Sequence, residues 1–120
     1  MPKRKLSTYN DGVVRIYRAE EKKTDFNAKK NVSVLDDLKF VVRLDYEEAS
    51  RREEDLDFAE KSGFSLTLKI KTRAVPGVDN KCKAVIDGYL YDVRYIDKNR
   101  TEMWLYMEGV RRLATQRRQD

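Results

Sequence analysis

Apolar and polar residues alternate with a period of two along much of the chain, in short runs separated by turn residues. In residues 13–18, Val14, Ile16 and Arg18 fall on one face and Val13, Arg15 and Tyr17 on the other. In residues 38–46, Leu38, Phe40, Val42, Leu44 and Tyr46 oppose Lys39, Arg43 and Asp45, the pattern of a half-buried strand. Residues 64–72 are the most regular, with Phe64, Leu66, Leu68 and Ile70 against Ser65, Thr67, Lys69 and Lys71. Residues 83–86, 89–97 and 101–108 complete the set. The last run has Met103, Leu105 and Met107 on one face and Trp104 and Tyr106 on the other. Apolar residues on both faces predict a central strand, or one covered by a partner.

The breaks between these runs carry their own signals. Asp87-Gly88 supplies the positive φ angles of a two-residue hairpin turn. Lys98-Asn99-Arg100 forms the last turn, Asp11-Gly12 marks an early one, and Pro76-Gly77 with Asp79-Asn80 makes a loop of residues 73–82. Residues 20–30 are polar and read as a long exposed connection. Residues 47–62 depart from the period of two. Ser50-Arg51-Arg52-Glu53 matches a capping box, Leu56 and Ala59 share a helical face, and Gly63 suits the position just past a helix. A short helix over residues 51–61 is expected; a strand extension is the alternative, since Leu56 and Phe58 also alternate. Six strands and one short helix predict a mostly β fold, a small six-stranded β-barrel or curved sandwich.

With 120 residues the chain is expected to be one domain with one modest core. Charged residues make up 39% of it, yet seven tyrosines, four phenylalanines and a tryptophan supply the apolar surface that a disordered chain lacks. Lys and Arg number 26 against 21 Asp and Glu, a formal charge of +5. The positive residues gather at the ends (Lys3, Arg4 and Lys5; Arg111, Arg112, Arg117 and Arg118), so residues 1–10 and 111–120 read as flexible basic ends. A further set, Lys22, Lys23, Lys29 and Lys30, falls in the long connection. These groups are either solvated or contact a phosphate backbone or an acidic neighbour. The single cysteine, Cys82, makes no intrachain disulfide and is expected at a loop edge with no redox role. With no histidine, the usual zinc sites and a Ser-His or Cys-His nucleophile are excluded. No apolar run approaches the length of a membrane span, and the start MPKRKLST has no apolar stretch behind its charges, so no signal peptide is expected.

Three groupings could carry chemistry. Glu53, Glu54, Asp55, Asp57 and Glu60 form an acidic cluster, but Arg51, Arg52 and Lys61 flank it, and a mixed-charge exposed helix face explains the run better than acid–base chemistry or a cation site. Asp36-Asp37 reads as a turn. Tyr89, Tyr91 and Tyr95 share one face of a simple strand, which offers either a stacking platform for single-stranded nucleic acid or aromatic filling of the core or of a subunit interface. No phosphate-binding, EF-hand or dinucleotide motif is present. No catalytic group, metal or cofactor is expected.

The strand bearing Arg43 and Tyr46, then SRREEDLDFAEKSG (50–63), LTLKIKTR (66–73), KAVIDGYLYDVRYID (83–97) and TEMWLYMEGVRRL (101–113) together resemble the phage head-tail joining or head closure proteins, among them the stoppers of siphophage necks. The likeness spans roughly residues 38–112 and is closest to the form carried by phages of low-GC Gram-positive bacteria. It implies a non-enzymatic β-barrel that assembles in the host cytoplasm as a ring below the portal and its adaptor. There it would close the DNA-filled head and meet a tail terminator or tail-completion protein, with double-stranded DNA passing through the channel and no membrane involved. The family's gating loop would correspond to residues 47–63, making Glu47, Ser50, Arg51, Arg52, Glu53, Glu54, Asp57 and Lys61 candidates for a channel or gate loop. Lys22, Lys23, Lys29, Lys30, Arg111, Arg112, Arg117 and Arg118 are the candidates for docking or DNA contact, and Trp104, Tyr106 and Tyr91 for the subunit interface.

Overall fold

Six strands close on themselves in a computed structural model that describes residues 8–19 and 38–113. In chain order these are β1 (Gly12–Ala19), β2 (Leu38–Ala49), helix α1 (Glu53–Ser62), β3 (Leu68–Arg73), β4 (Cys82–Ile86), β5 (Tyr89–Lys98) and β6 (Glu102–Arg112). Around the barrel the order is β1-β2-β3-β6-β5-β4, and β4 returns to β1 through Arg15–Val85 and Arg18–Cys82. Every pairing is antiparallel. The expected mostly β, six-stranded barrel with one short helix is therefore the fold.

Local chemistry accounts for the joints. Asp87 (φ 50°) and Gly88 (φ 77°) both take positive φ, as a tight β4–β5 hairpin requires. β2 serves two neighbours in succession: Gly12 to Ala19 pair with its first part, and Lys69 to Lys71 with Glu47 to Ala49. The loop after β3 lies over one end of the barrel and adds buried Val78 to the core. It is tied down by Arg18, whose guanidinium donates to the Gly77 carbonyl at 2.8 Å, and by Lys98, whose ammonium donates to the Val75 carbonyl at 3.1 Å. Cys82, buried at the start of β4, lies under this loop, and burial pushes its thiol pKa up.

The interior is filled by the chain itself. Val14, Ile16, Ile70, Val93, Met103, Leu105 and Met107 are fully enclosed. The alternation read along β3 and β6 holds for Ile70, Met103, Leu105 and Met107. It breaks at three bulges, one of them at Val110 of β6, where Leu90 and Tyr91 stand opposite Arg111 and Gly109. Opposite Ile16 and Tyr17 of β1 stand Val42 and Phe40, so Val41 is the extra residue; both valines pack on the core and Phe40 turns outward, 51% exposed. The expected continuous face from Leu38 to Tyr46 is thus two faces joined at Val41. On β5, Val93 pairs with Met107 and Tyr95 with Tyr106, leaving Arg94 as the extra residue.

Other boundaries differ as well. β3 begins at Leu68 rather than at residue 64, because Phe64 follows the left-handed turn at Gly63 and packs back under α1. β6 runs on to Arg112, so Arg111 and Arg112 are strand residues paired with Leu90 and Tyr89 rather than part of a loose end. The long polar connection, with Asp36-Asp37, Lys22, Lys23, Lys29 and Lys30, lies outside the described residues, as do Arg117, Arg118 and residues 1–7. Among the described residues no helix is long and apolar enough to cross a membrane.

Leu105 is enclosed on every side, so truncation leaves a cavity. Leu105→Ala is expected to lower unfolding stability by about 2–5 kcal/mol, read as a lower urea midpoint with an unchanged slope.

Candidate docking surface

The second apolar face of β6 is covered by the chain's own helix. α1 starts where Arg52, in an extended conformation, donates its backbone N–H to the Asp55 carboxylate at 2.9 Å. The expected capping box at Ser50 and Glu53 is thus displaced by two residues. An arginine side chain has no acceptor with which to return the bond, so Asp55 does the capping alone. Glu53, Glu54 and Asp55 in the first turn and Lys61 in the last suit the helix dipole. At the other end Gly63 adopts φ 85°; its N–H reaches the Glu60 carbonyl, and the Phe64 N–H reaches the Ala59 carbonyl. These two bonds, with Ala59 and Phe64 in contact, form a Schellman stop.

Asp55 also fastens the helix to the barrel. It is 3% exposed, and its carboxylate accepts from Lys69 Nζ at 2.8 Å, from Arg52 Nε and Nη2 at 3.2 Å, and from the Tyr106 hydroxyl at 3.2 Å. Lys69, 5% exposed, lies 4.9 Å from the centre of the Tyr106 ring. Burial alone would raise the pKa of Asp55. The donors from Arg52 and Lys69 more than reverse this and hold it well below the ordinary carboxylate range. Tyr106 shifts upward, chiefly through burial. The acidic run is therefore not one uniform solvated face: Asp55 turns inward, while Glu53, Glu54, Asp57 and Glu60 stay exposed. Leu56, expected on the buried face with Ala59, is exposed, because Asp55 and Ala59 are the residues that face the barrel. A buried Asp–Lys pair was invisible in sequence, where both residues matched the polar phase of their elements.

Around this anchor lies an aromatic surface. Phe58 (37% exposed) and Tyr95 (41% exposed) have ring centres 4.7 Å apart and rest on Phe64 and Tyr106. The Arg94 guanidinium lies 5.4 Å from the Phe64 ring and pairs with Glu108 at 3.6 Å. The bulge at Arg94 creates this surface by turning Tyr95 outward. Tyr91 instead packs against the core beside Tyr89, at 5.1 Å. Tyr89, Tyr91 and Tyr95 therefore do not form one stacking platform.

The remaining candidates are dispersed. Glu47 is a β2 residue, 3.8 Å from the Lys71 ammonium, which also meets Glu102 at 3.7 Å. Ser50, Arg51 and Arg52 form the connector, where Arg51 donates to the Leu66 carbonyl at 3.4 Å. Glu53, Glu54, Asp57 and Lys61 lie on α1, so residues 47–63 form a strand end and a docked helix rather than a projecting loop. Trp104 is half-buried against the cluster beneath α1, and Tyr106 is enclosed within it. Arg112 is at the far end of β6, 5.9 Å from the Tyr89 ring. No group of three or more acidic or cysteine side chains suited to a metal ion occurs among the described residues. Compared with known proteins, the sequence matches no family model and no curated protein.

Removing Asp55 leaves Lys69 charged and enclosed. Asp55→Ala is expected to cost about 3–5 kcal/mol, and Asp55→Leu combined with Lys69→Met to recover much of that loss in thermal unfolding. The folded-state pKa of Asp55 is depressed, so its contribution is complete above about pH 4 and is lost as the pH falls below that. The double variant should lose less stability than the parent between about pH 4 and pH 2.

Proposed function

We propose that this chain is a structural component of the neck of a tailed phage or prophage. In this reading it docks below the portal and adaptor, helps to close the DNA-filled head, joins it to the tail, and turns over no substrate. The observation that carries the reading is the filled barrel with a helix clamped to its outer wall. With the interior packed by Ile16, Ile70, Met103, Leu105 and Met107, the molecule acts through its surface. The resemblance over residues 38–112 supplies the assembly, and the barrel is the fold it implies. Phe58 and Tyr95, beside the exposed charged residues of α1, are then the face that meets an assembly neighbour, since exposed aromatics beside charges are the usual anchors of protein contacts. Residues 47–63 serve in this reading as a rigid docking element. The exposed arginines at the end of β6 offer a second contact, to an acidic neighbour or to DNA.

Electron microscopy of an induced lysate lacking this gene tests the reading. Complete tails beside emptied heads are expected; intact, normally tailed virions would remove the chain from the neck. Complementation with Phe58→Ser combined with Tyr95→Ser is expected to give a folded protein that fails to restore joined particles.

A further inference from the structure

The outer wall formed by β1 and β2 carries an arrangement that stability alone does not favour. Val14 and Ile16 of β1 and Leu44 of β2 are buried, so the alternating Arg15 and Arg43 point outward, and the register sets these two arginines directly opposite each other. Cross-strand neighbours of this kind have Cβ atoms about 4.5–5.5 Å apart, and like charges placed so repel. Both are exposed, and neither meets a carboxylate among the described residues. Asp45 shares the face one pair further along β2, opposite Val13, and Lys83 across β1 is already held by Asp92 at 2.6 Å. The next outward pair toward the far end of the barrel is aromatic. Tyr17 meets Phe40 edge to face, ring centres 5.6 Å apart, and Phe40 is left 51% exposed by the bulge at Val41.

We propose that this wall binds single-stranded nucleic acid, with Arg15 and Arg43 on the phosphates and Phe40 stacking on a base. Phosphates seated on the two guanidinium groups offset their repulsion, since each group is a planar donor fork matched to phosphate oxygens. An exposed ring beside them distinguishes a single strand from a duplex, because only unstacked bases offer their faces to an aromatic side chain. The assignment does not depend on the neck reading, and it moves the stacking surface from β5 to the β1–β2 pair.

Fluorescence anisotropy of the full chain with a labelled oligothymidylate, and with a duplex of equal length, tests the proposal at low and at moderate salt. The single strand is expected to bind more tightly than the duplex. Arg15→Gln combined with Arg43→Gln is expected to weaken binding about tenfold or more and to reduce the slope of log affinity against log salt by roughly 1.4, about 0.7 for each lost phosphate contact. Phe40→Ala is expected to weaken binding at least fivefold with an unchanged salt slope. Thermal unfolding of the arginine variant should be equal to or higher than the parent's, which separates lost binding from lost fold. No binding at low salt, or parent-like binding by both variants, would overturn the proposal. So would a duplex preference that Phe40→Ala leaves unchanged.

Discussion

Closing a six-stranded sheet upon itself is the constraint from which most of this structure follows. A closed barrel this narrow must bend its strands sharply, and a bulge bends a strand by giving it one residue more than its partner. Val41 and Arg94 are such residues. Each reverses the sense of the side chains beyond it. At Val41 the reversal turns Phe40 out to solvent; at Arg94 it brings Tyr95 to the wall under α1. The exposure of Phe40 and Tyr95 is thus a product of barrel curvature, not of hydrophobic strands left uncovered.

The second organising element is the enclosed carboxylate at Asp55. It caps the helix, binds Lys69 of β3 and receives the hydroxyl of Tyr106 on β6. One side chain therefore links helix start, strand and strand. An ion pair of this kind adds little net stability compared with apolar packing, but it specifies the position of α1, because any shift would leave a charge unpaired. Helix and barrel wall consequently form one rigid surface.

Much of the fold was legible in sequence. The hairpin at Asp87-Gly88, the stop at Gly63 and the inward set Ile70, Met103, Leu105 and Met107 follow from turn chemistry and a period of two. The bulges did not announce themselves, because Val41 and Arg94 are ordinary strand residues whose extra place exists only relative to a partner strand. The same reason hid Asp55 and Lys69: each sits in the polar phase of its own element, and only the packing of helix on sheet removes them from water. For this cause as well, the tyrosines of β5 alternate in sequence but not in space: the barrel requires a break at Arg94.

The position of β6 has a consequence for how the chain reaches this state. β6 follows every other strand in sequence, yet it stands between β3 and β5, pairing with β3 through Glu102 to Met107 and with β5 through Met103 to Arg112. During synthesis on the ribosome, β1 to β5 emerge before the strand that closes the ring. Until Arg112 has left the exit tunnel, β3 and β5 each present an unpaired edge, and Phe64, Leu66 and Ala59 have no Tyr106 to cover. An open five-stranded sheet, β3-β2-β1-β4-β5, can therefore form as the chain emerges, but the ring closes only in a late step, when β6 fills the gap between its two edges.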